Sequence, residues 1–161
     1  MPGGNYLAAG IEHNELGRPT ASGELHTKMN EKRFRKFNPL KSRRDLFEIE
    51  GDSDAQIGLV SWGSVSGVAR EALRLARAEG LRAKLLVPKM LYPVAESVYQ
   101  DFFASVRQGL FVEQSYQAQL YRLVRMYVDL PPLVQPLAKS GSNPIRPVEV
   151  LERLRKMAAA A

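Results

Sequence analysis

From Ala55 onward the chain alternates short, almost wholly apolar runs with longer amphipathic stretches, and few folds accept that pattern. Ile57 to Trp62, Ala83 to Val87 and Leu110 to Glu113 are the apolar runs, and each suits a strand buried on both faces of a parallel sheet. Between the first two, Val65, Val68, Ala69, Ala72, Leu73 and Ala76 recur at helical spacing while Arg70, Glu71, Arg74 and Arg77 face the other way. Gly80 stops that helix. Leu91-Tyr92-Pro93 reads as a turn whose proline opens the next helix, lined by Val94, Val98, Phe102 and Val106. A further helix buries Leu120, Tyr121, Val124, Tyr127 and Val128 and ends at Pro131-Pro132. Leu133 to Leu137 is a short strand that Pro136, having no amide proton, confines to a sheet edge. After a polar loop from Ser140 to Arg146, Pro147 opens a last helix with Val150, Leu151 and Leu154 inward. Strand-helix alternation of this kind predicts an open α/β fold: a three-layer αβα sandwich around a mostly parallel sheet of about five strands.

Residues 1–54 read differently. Gly3, Gly4, Gly10, Gly17, Pro19, Gly23, Pro39 and Gly51 punctuate a segment poor in apolar residues, so it is expected to be an arm or linker preceding an α/β domain over 55–161. Leu25, Met29, Phe34, Phe37 and Leu40 fall near helical spacing between His26 and Pro39, which predicts a short helix whose apolar edge needs another surface to cover it.

At 161 residues and 45% hydrophobic, the chain can bury one real core. No apolar run reaches the roughly 18 to 20 residues of a membrane span, and the first residues lack the pattern of a signal peptide, so a cytoplasmic protein is expected. With no cysteine, the sequence excludes disulfides, a thiolate nucleophile and any self-ligated iron–sulfur cluster. The net charge of +6 is concentrated in Lys32, Arg33, Arg35, Lys36, Lys41, Arg43 and Arg44, a run without an acid. Such a run suits a solvated face or an acidic partner, with a nucleic-acid surface as the lesser alternative.

The positions that could carry chemistry are few. The turn Ser61 to Gly67 places Gly63 and Ser64 where a helix N-terminus meets the carboxyl end of a strand, a place that accepts anions, although a tight turn capped by Ser64 explains the same residues. Glu113-Gln114 ends the third strand; the pair either faces a neighbouring subunit or caps the following helix. Both histidines, His13 and His26, stand near glutamates, His13 beside Glu12 and Glu15, but without the helical pairing that makes a metal site. Arg122 and Arg125 alternate with Tyr121 and Tyr127; at helical spacing the tyrosines read as core and the arginines as solvated face.

Four segments carry a resemblance. Gly10-Ile11-Glu12-His13-Asn14-Glu15-Leu16-Gly17-Arg18-Pro19-Thr20 resembles the G-x-E-H-x-E-x-G-x-P-T segment of α subunits of 2-oxoglutarate and related 2-oxoacid:ferredoxin oxidoreductases, and His26, Met29, Lys32, Arg33 and Lys36 match the stretch that follows it there. Val60-Ser61-Trp62-Gly63-Ser64 resembles that family's I-S-W-G-S turn, and Leu91-Tyr92-Pro93 its L-Y-P turn. Val112-Glu113-Gln114-Ser115-Tyr116 with Gln119-Leu120 resembles V-E-Q-N-Y-x-x-Q-L, with Ser115 in place of Asn; the likeness fades after Leu133. The resemblance implies a transketolase C-terminal-like, Rossmann-like fold, and a parent enzyme that oxidatively decarboxylates a 2-oxoacid to acyl-CoA and passes electrons to ferredoxin. It implies thiamine diphosphate, magnesium, an iron–sulfur cluster and coenzyme A for the parent, and none bound by this chain, which lacks the Gly-Asp-Gly thiamine signature. Under that resemblance the chain is a catalytically silent assembly domain, whether excised or separately encoded. Its partners would be the remaining α-subunit domains and the β subunit, and Glu12, His13, Gly63, Ser64, Glu113, Gln114 and Tyr116 would be its interface or anion-binding positions. The alternatives are an anion- or coenzyme A-binding module and a basic nucleic-acid-binding domain.

Overall fold

The computed structural model describes residues 3, 4 and 10–160. It divides into two compact units, Met1–Leu40 and Lys41–Ala161.

The larger unit is built on strands β1 (Phe47–Gly51), β2 (Ile57–Ser61), β3 (Ala83–Pro88), β4 (Gln108–Glu113) and β5 (Val134–Ala138), in the spatial order β1-β3-β2-β4-β5. β3, β2, β4 and β5 run parallel, and β1 is an antiparallel edge strand on β3. Helices α2 (Val65–Ala78) and α5 (Pro147–Ala159) cover one face, where Leu59, Leu85 and Leu110 meet Ala69, Ala72, Val150 and Leu154. Helices α3 (Glu96–Ala104) and α4 (Gln119–Arg125) cover the other, where Val60, Leu86 and Phe111 meet Phe102, Phe103, Leu120 and Val124. This is the three-layer αβα sandwich that the alternation predicts. β2, β3 and β4 are buried at every position, which is why they read as unbroken apolar runs. Two glycines bring α3 close to the sheet. A Cβ at Gly58 would stand 2.7 Å from the Phe102 ring, and one at Gly109 would stand 2.6 Å from the Phe103 ring. Among the described residues no helix is long and apolar enough to cross a membrane.

Several local expectations are corrected. The segment assigned to the arm through residue 54 already contains β1, whose Phe47 is buried against the Tyr99 ring at 6.0 Å while Glu48 and Glu50 on the opposite side hold Arg70 of α2 at 2.6 and 2.7 Å. Acids at alternate positions of an edge strand hid it from a hydrophobicity reading. Pro93 does not open α3, which starts at Glu96 with the Ala95 carbonyl accepting from the Val98 amide at 3.0 Å. α4 ends at Arg125, before the prolines, so Tyr127 stays exposed although Val128 is buried.

The smaller unit is a hairpin and a helix. Asn14 Oδ1 accepts from the amides of Leu16 and Arg18 at 3.0 and 3.1 Å, Gly17 takes a positive φ of 76°, and His13 bridges Pro19. Helix α1 (Gly23–Arg35) follows, earlier than the spacing alone placed it, because Ser22 caps it by accepting from the Leu25 amide at 3.3 Å. None of residues 10–40 is buried.

Candidate functional site

Parallel sheets expose function at the carboxyl ends of their strands, most of all where the strand order reverses. In this sheet the reversal lies between β2 and β4, because β2 leads to β3 on one side while β4 and β5 lie on the other. The turn after β2 carries Gly63 and Ser64, and the loop after β4 carries Gln114 and Tyr116, so four sequence-predicted positions reach the same edge. Beneath them the Ser61 hydroxyl donates to the Val112 carbonyl at 2.9 Å, tying the two strand ends together.

What these residues do there is mainly structural. Gly63 takes φ of 58° with open space where a Cβ would sit. Ser64 occupies the N-cap of α2 but its hydroxyl makes no capping bond; instead the Ser66 hydroxyl donates to the Gly63 carbonyl at 2.7 Å. Nearby cations are already neutralised, since Lys89 meets Glu48 at 2.5 Å and Arg70 is shared by Glu48 and Glu50. Lys89 first, and then Arg70, hold the Glu48 carboxyl below its ordinary range.

Glu113 is buried and capping. Its Oε2 accepts from the Leu120 amide at 3.0 Å and from the Ser115 hydroxyl at 3.1 Å, and its Oε1 accepts from the Tyr121 amide at 3.1 Å. One carboxylate thus satisfies two orphan amides of α4's first turn. Gln114 fixes the distant polar loop: its Nε2 donates to the Gly141 and Asn143 carbonyls and its Oε1 accepts from the Ile145 amide at 3.0 Å. Tyr116 makes no such bond and is 81% exposed.

The smaller unit holds the other two positions. Glu12 is a clamp: His26 Nδ1 lies 2.6 Å from its Oε2, Arg33 Nη2 lies 2.7 Å from its Oε1, and Asn30 Nδ2 donates to His26 Nε2 at 3.0 Å. The hydrogen bond from His26, helped by Arg33, holds the Glu12 carboxyl below the usual glutamate range. His13 stays outside that clamp and donates from Nδ1 to the Asn14 carbonyl at 2.8 Å.

Sequence reasoning missed a groove of about 680 Å³ beside α4 and β5. Ala118, Pro136 and Ala138 line it together with Tyr116, Arg122 and Arg125. One signal was present in the sequence: no acid stands between Glu113 and Asp129.

Sheet order and helix layers define a transketolase-like α/β fold. A split-gene transketolase, an inactive tetramer of four beta chains, shares this fold with a TM-score of 0.54 over 68% of this chain and 40% of that chain, at 13% identity. The model of pyruvate:ferredoxin oxidoreductase core domain II matches residues 55–150, and the chain belongs to that family. It is similar to subunit alpha of 2-oxoacid:ferredoxin oxidoreductase 2 from Aeropyrum pernix, 30% identical over 94% of this chain and 24% of the relative. It is 29% identical to the 2-oxoglutarate synthase subunit KorA of Methanothermobacter marburgensis, over 92% of this chain and 40% of that one. The 2-oxoglutarate:ferredoxin oxidoreductase of Magnetococcus marinus, solved with 2-oxoglutarate, coenzyme A and succinyl-CoA bound, superposes with a TM-score of 0.81 at 33% identity, over 96% of this chain and 27% of that chain. The chain therefore spans well under half the length of these relatives.

Without cysteine the chain offers no thiolate to an iron–sulfur cluster, and among the described residues no group of three or more His, Asp or Glu side chains converges.

Proposed function

We propose that this chain acts as an assembly domain of the α subunit of a cytoplasmic 2-oxoacid:ferredoxin oxidoreductase, the enzyme class that decarboxylates a 2-oxoacid to acyl-CoA and delivers electrons to ferredoxin. Thiamine diphosphate, magnesium, the cluster and coenzyme A belong to other parts of that enzyme, and this chain alone is inactive. The observation that carries the reading is the superposition on the Magnetococcus marinus enzyme over nearly the whole chain. Two further facts support it. Glu113 and Gln114, at the sheet's carboxyl edge, are committed to capping α4 and pinning the 141–145 loop. In the smaller unit Ile11, Leu16 and Phe34 are 60% or more exposed, an apolar edge that suits burial against another domain. Co-expression with the remaining α-subunit segments and the β subunit of the same organism's enzyme tests the reading. Co-purification and 2-oxoacid-dependent ferredoxin reduction that needs this chain are expected; no association under any of those conditions refutes it.

A further inference from the structure

The groove beside α4 is lined by basic side chains and by no acid. Many other arginines of this unit meet acids, Arg74 with Glu71, Arg77 with Asp52, Arg155 with Glu79, and Arg70 with two glutamates, while Arg153 donates to the Gln135 side chain. Arg122 and Arg125, one turn apart on α4, have no carboxylate partner among the described residues. Arg125 instead lies over the Tyr121 ring at 5.5 Å and donates to its hydroxyl at 3.4 Å. Asp129, the nearest acid in sequence, forms no ion pair with either arginine among the described residues, and Glu113, on the other side, is turned inward and buried by its capping bonds.

The groove also presents exposed apolar surface. Tyr116 and Met126 are 81% and 75% exposed, and Pro136 and Ala138 of β5 add small apolar surface beside them. Tyrosine, methionine and arginine are the residue types that concentrate in protein–protein interfaces, where a ring and a guanidinium bury large area at small entropic cost. Ala118, which also lines the groove, sits at φ 53°, a left-handed conformation that costs an alanine energy and is held in place by the Glu113 bonds on either side of it.

We infer that this groove docks an acidic segment of a partner protein chain, its carboxylates reaching Arg122 and Arg125 while apolar side chains pack on Tyr116 and Met126. The inference deepens the assembly reading by naming the surface and the chemistry it accepts. The groove is an open surface and not an enclosed cavity, which favours a chain segment over a small anion.

The test has two arms. In the first, a short fluorescein-labelled peptide alternating glutamate with leucine is titrated against the whole chain by fluorescence anisotropy, with ADP and inorganic phosphate as competitors. Saturable binding is expected, weakened about tenfold or more in Arg122→Glu/Arg125→Glu and unchanged in Lys156→Glu, which alters charge on the far helix. Both arginines are exposed and have no carboxylate partner among the described residues, so the fold should tolerate the change, which circular dichroism of the variant checks. No saturable binding, equal loss in the Lys156→Glu control, or ADP binding more tightly than the peptide at the same arginines overturns the inference. In the second arm the variant replaces the wild type in the co-expression. Wild-type association with loss in the variant supports both readings, and undiminished association of the variant overturns this one alone. If even the wild type fails to associate, the assembly reading falls while the peptide arm still decides the groove.

Discussion

The sandwich and the N-terminal unit both have regular secondary structure, yet they are held by different physics. In the sandwich, two apolar layers close on a sheet whose central strands have no exposed residue, and nearly every polar group near the core has a fixed partner. In the N-terminal unit no described residue between 10 and 40 is buried, and the hairpin meets α1 through the polar clamp of Glu12 with His26 and Arg33. Burial of apolar surface adds roughly 25 cal/mol per Å², whereas exposed ion pairs are worth about 0 to 1 kcal/mol each. The sandwich therefore carries a large store of buried apolar surface, and the smaller unit, with Ile11, Leu16 and Phe34 exposed, carries none of comparable size.

The sharpest way to break this comparison is through α3. Phe102 is 2% exposed and packs over Gly58, so Phe102→Ala opens a cavity and should cost about 4 kcal/mol in urea denaturation of the whole chain. A loss under about 1 kcal/mol would mean that the aromatic layer is not what holds the sandwich. Next in size is Glu113→Ala. It strands the amides of Leu120 and Tyr121, the first of them buried, and should cost about 3 kcal/mol, with Glu113→Gln intermediate because it keeps one acceptor. If both variants are neutral by thermal denaturation, α4 is not anchored by that carboxylate and the groove beside it has no fixed wall.

How much of this was legible in the sequence follows from the same contrast. β2, β3 and β4 were readable because burial on both faces leaves an apolar run that depends on no distant residue. β1 was not, since its Glu48 and Glu50 are tolerated only because Arg70, on a helix later in the chain, stands opposite them. Glu113 was found as a position, and its capping role was one of the two readings open at that stage. The groove, hinted at only by the lack of acids between Glu113 and Asp129, escaped for a different reason. It exists only where β5 brings Pro136 and Ala138 beside α4, and no local pattern in Gln119 to Arg125 announces a neighbour from so far along the chain. Helix boundaries at Glu96 and Arg125 also escaped, because proline marks where a helix is permitted and not where hydrogen bonding begins.

A gain in stability is the third expectation. Ala118 pays the left-handed penalty of about 1 to 2 kcal/mol, and Ala118→Gly removes it at the expense of greater unfolded-state freedom, leaving a net gain of about 0.5 to 1 kcal/mol. A small upward shift of the melting temperature checks it. A downward shift would show that the methyl group, 6% exposed, contributes more by packing than its backbone costs.

The smallest global effect belongs to the clamp, and it is where the comparison can be made quantitative. Glu12→Ala should leave the main unfolding transition unmoved while amide exchange in Gly23–Arg35 accelerates, since the residues it frees contribute nothing to the sandwich core. The pH dependence runs the same way. The folded-state value of Glu12 is depressed, first by its bond from His26, so the clamp's contribution is present above the ordinary glutamate value of 4.5 and is lost as pH falls through the lowered folded value. Glu149, held by Lys139 and by the Arg146 amide at the start of α5, is depressed further, to about 2, so its contribution is also present above 4.5 and survives until pH approaches that value. A carbon-detected carboxyl titration should show Glu149 titrating last, near 2. Exchange in α1 should quicken on the acid side of 4.5 while α5 remains protected. If α1 and α5 instead open together at one pH, the two units share a single stability, and the division between an apolar sandwich and a polar-clamped hairpin is wrong.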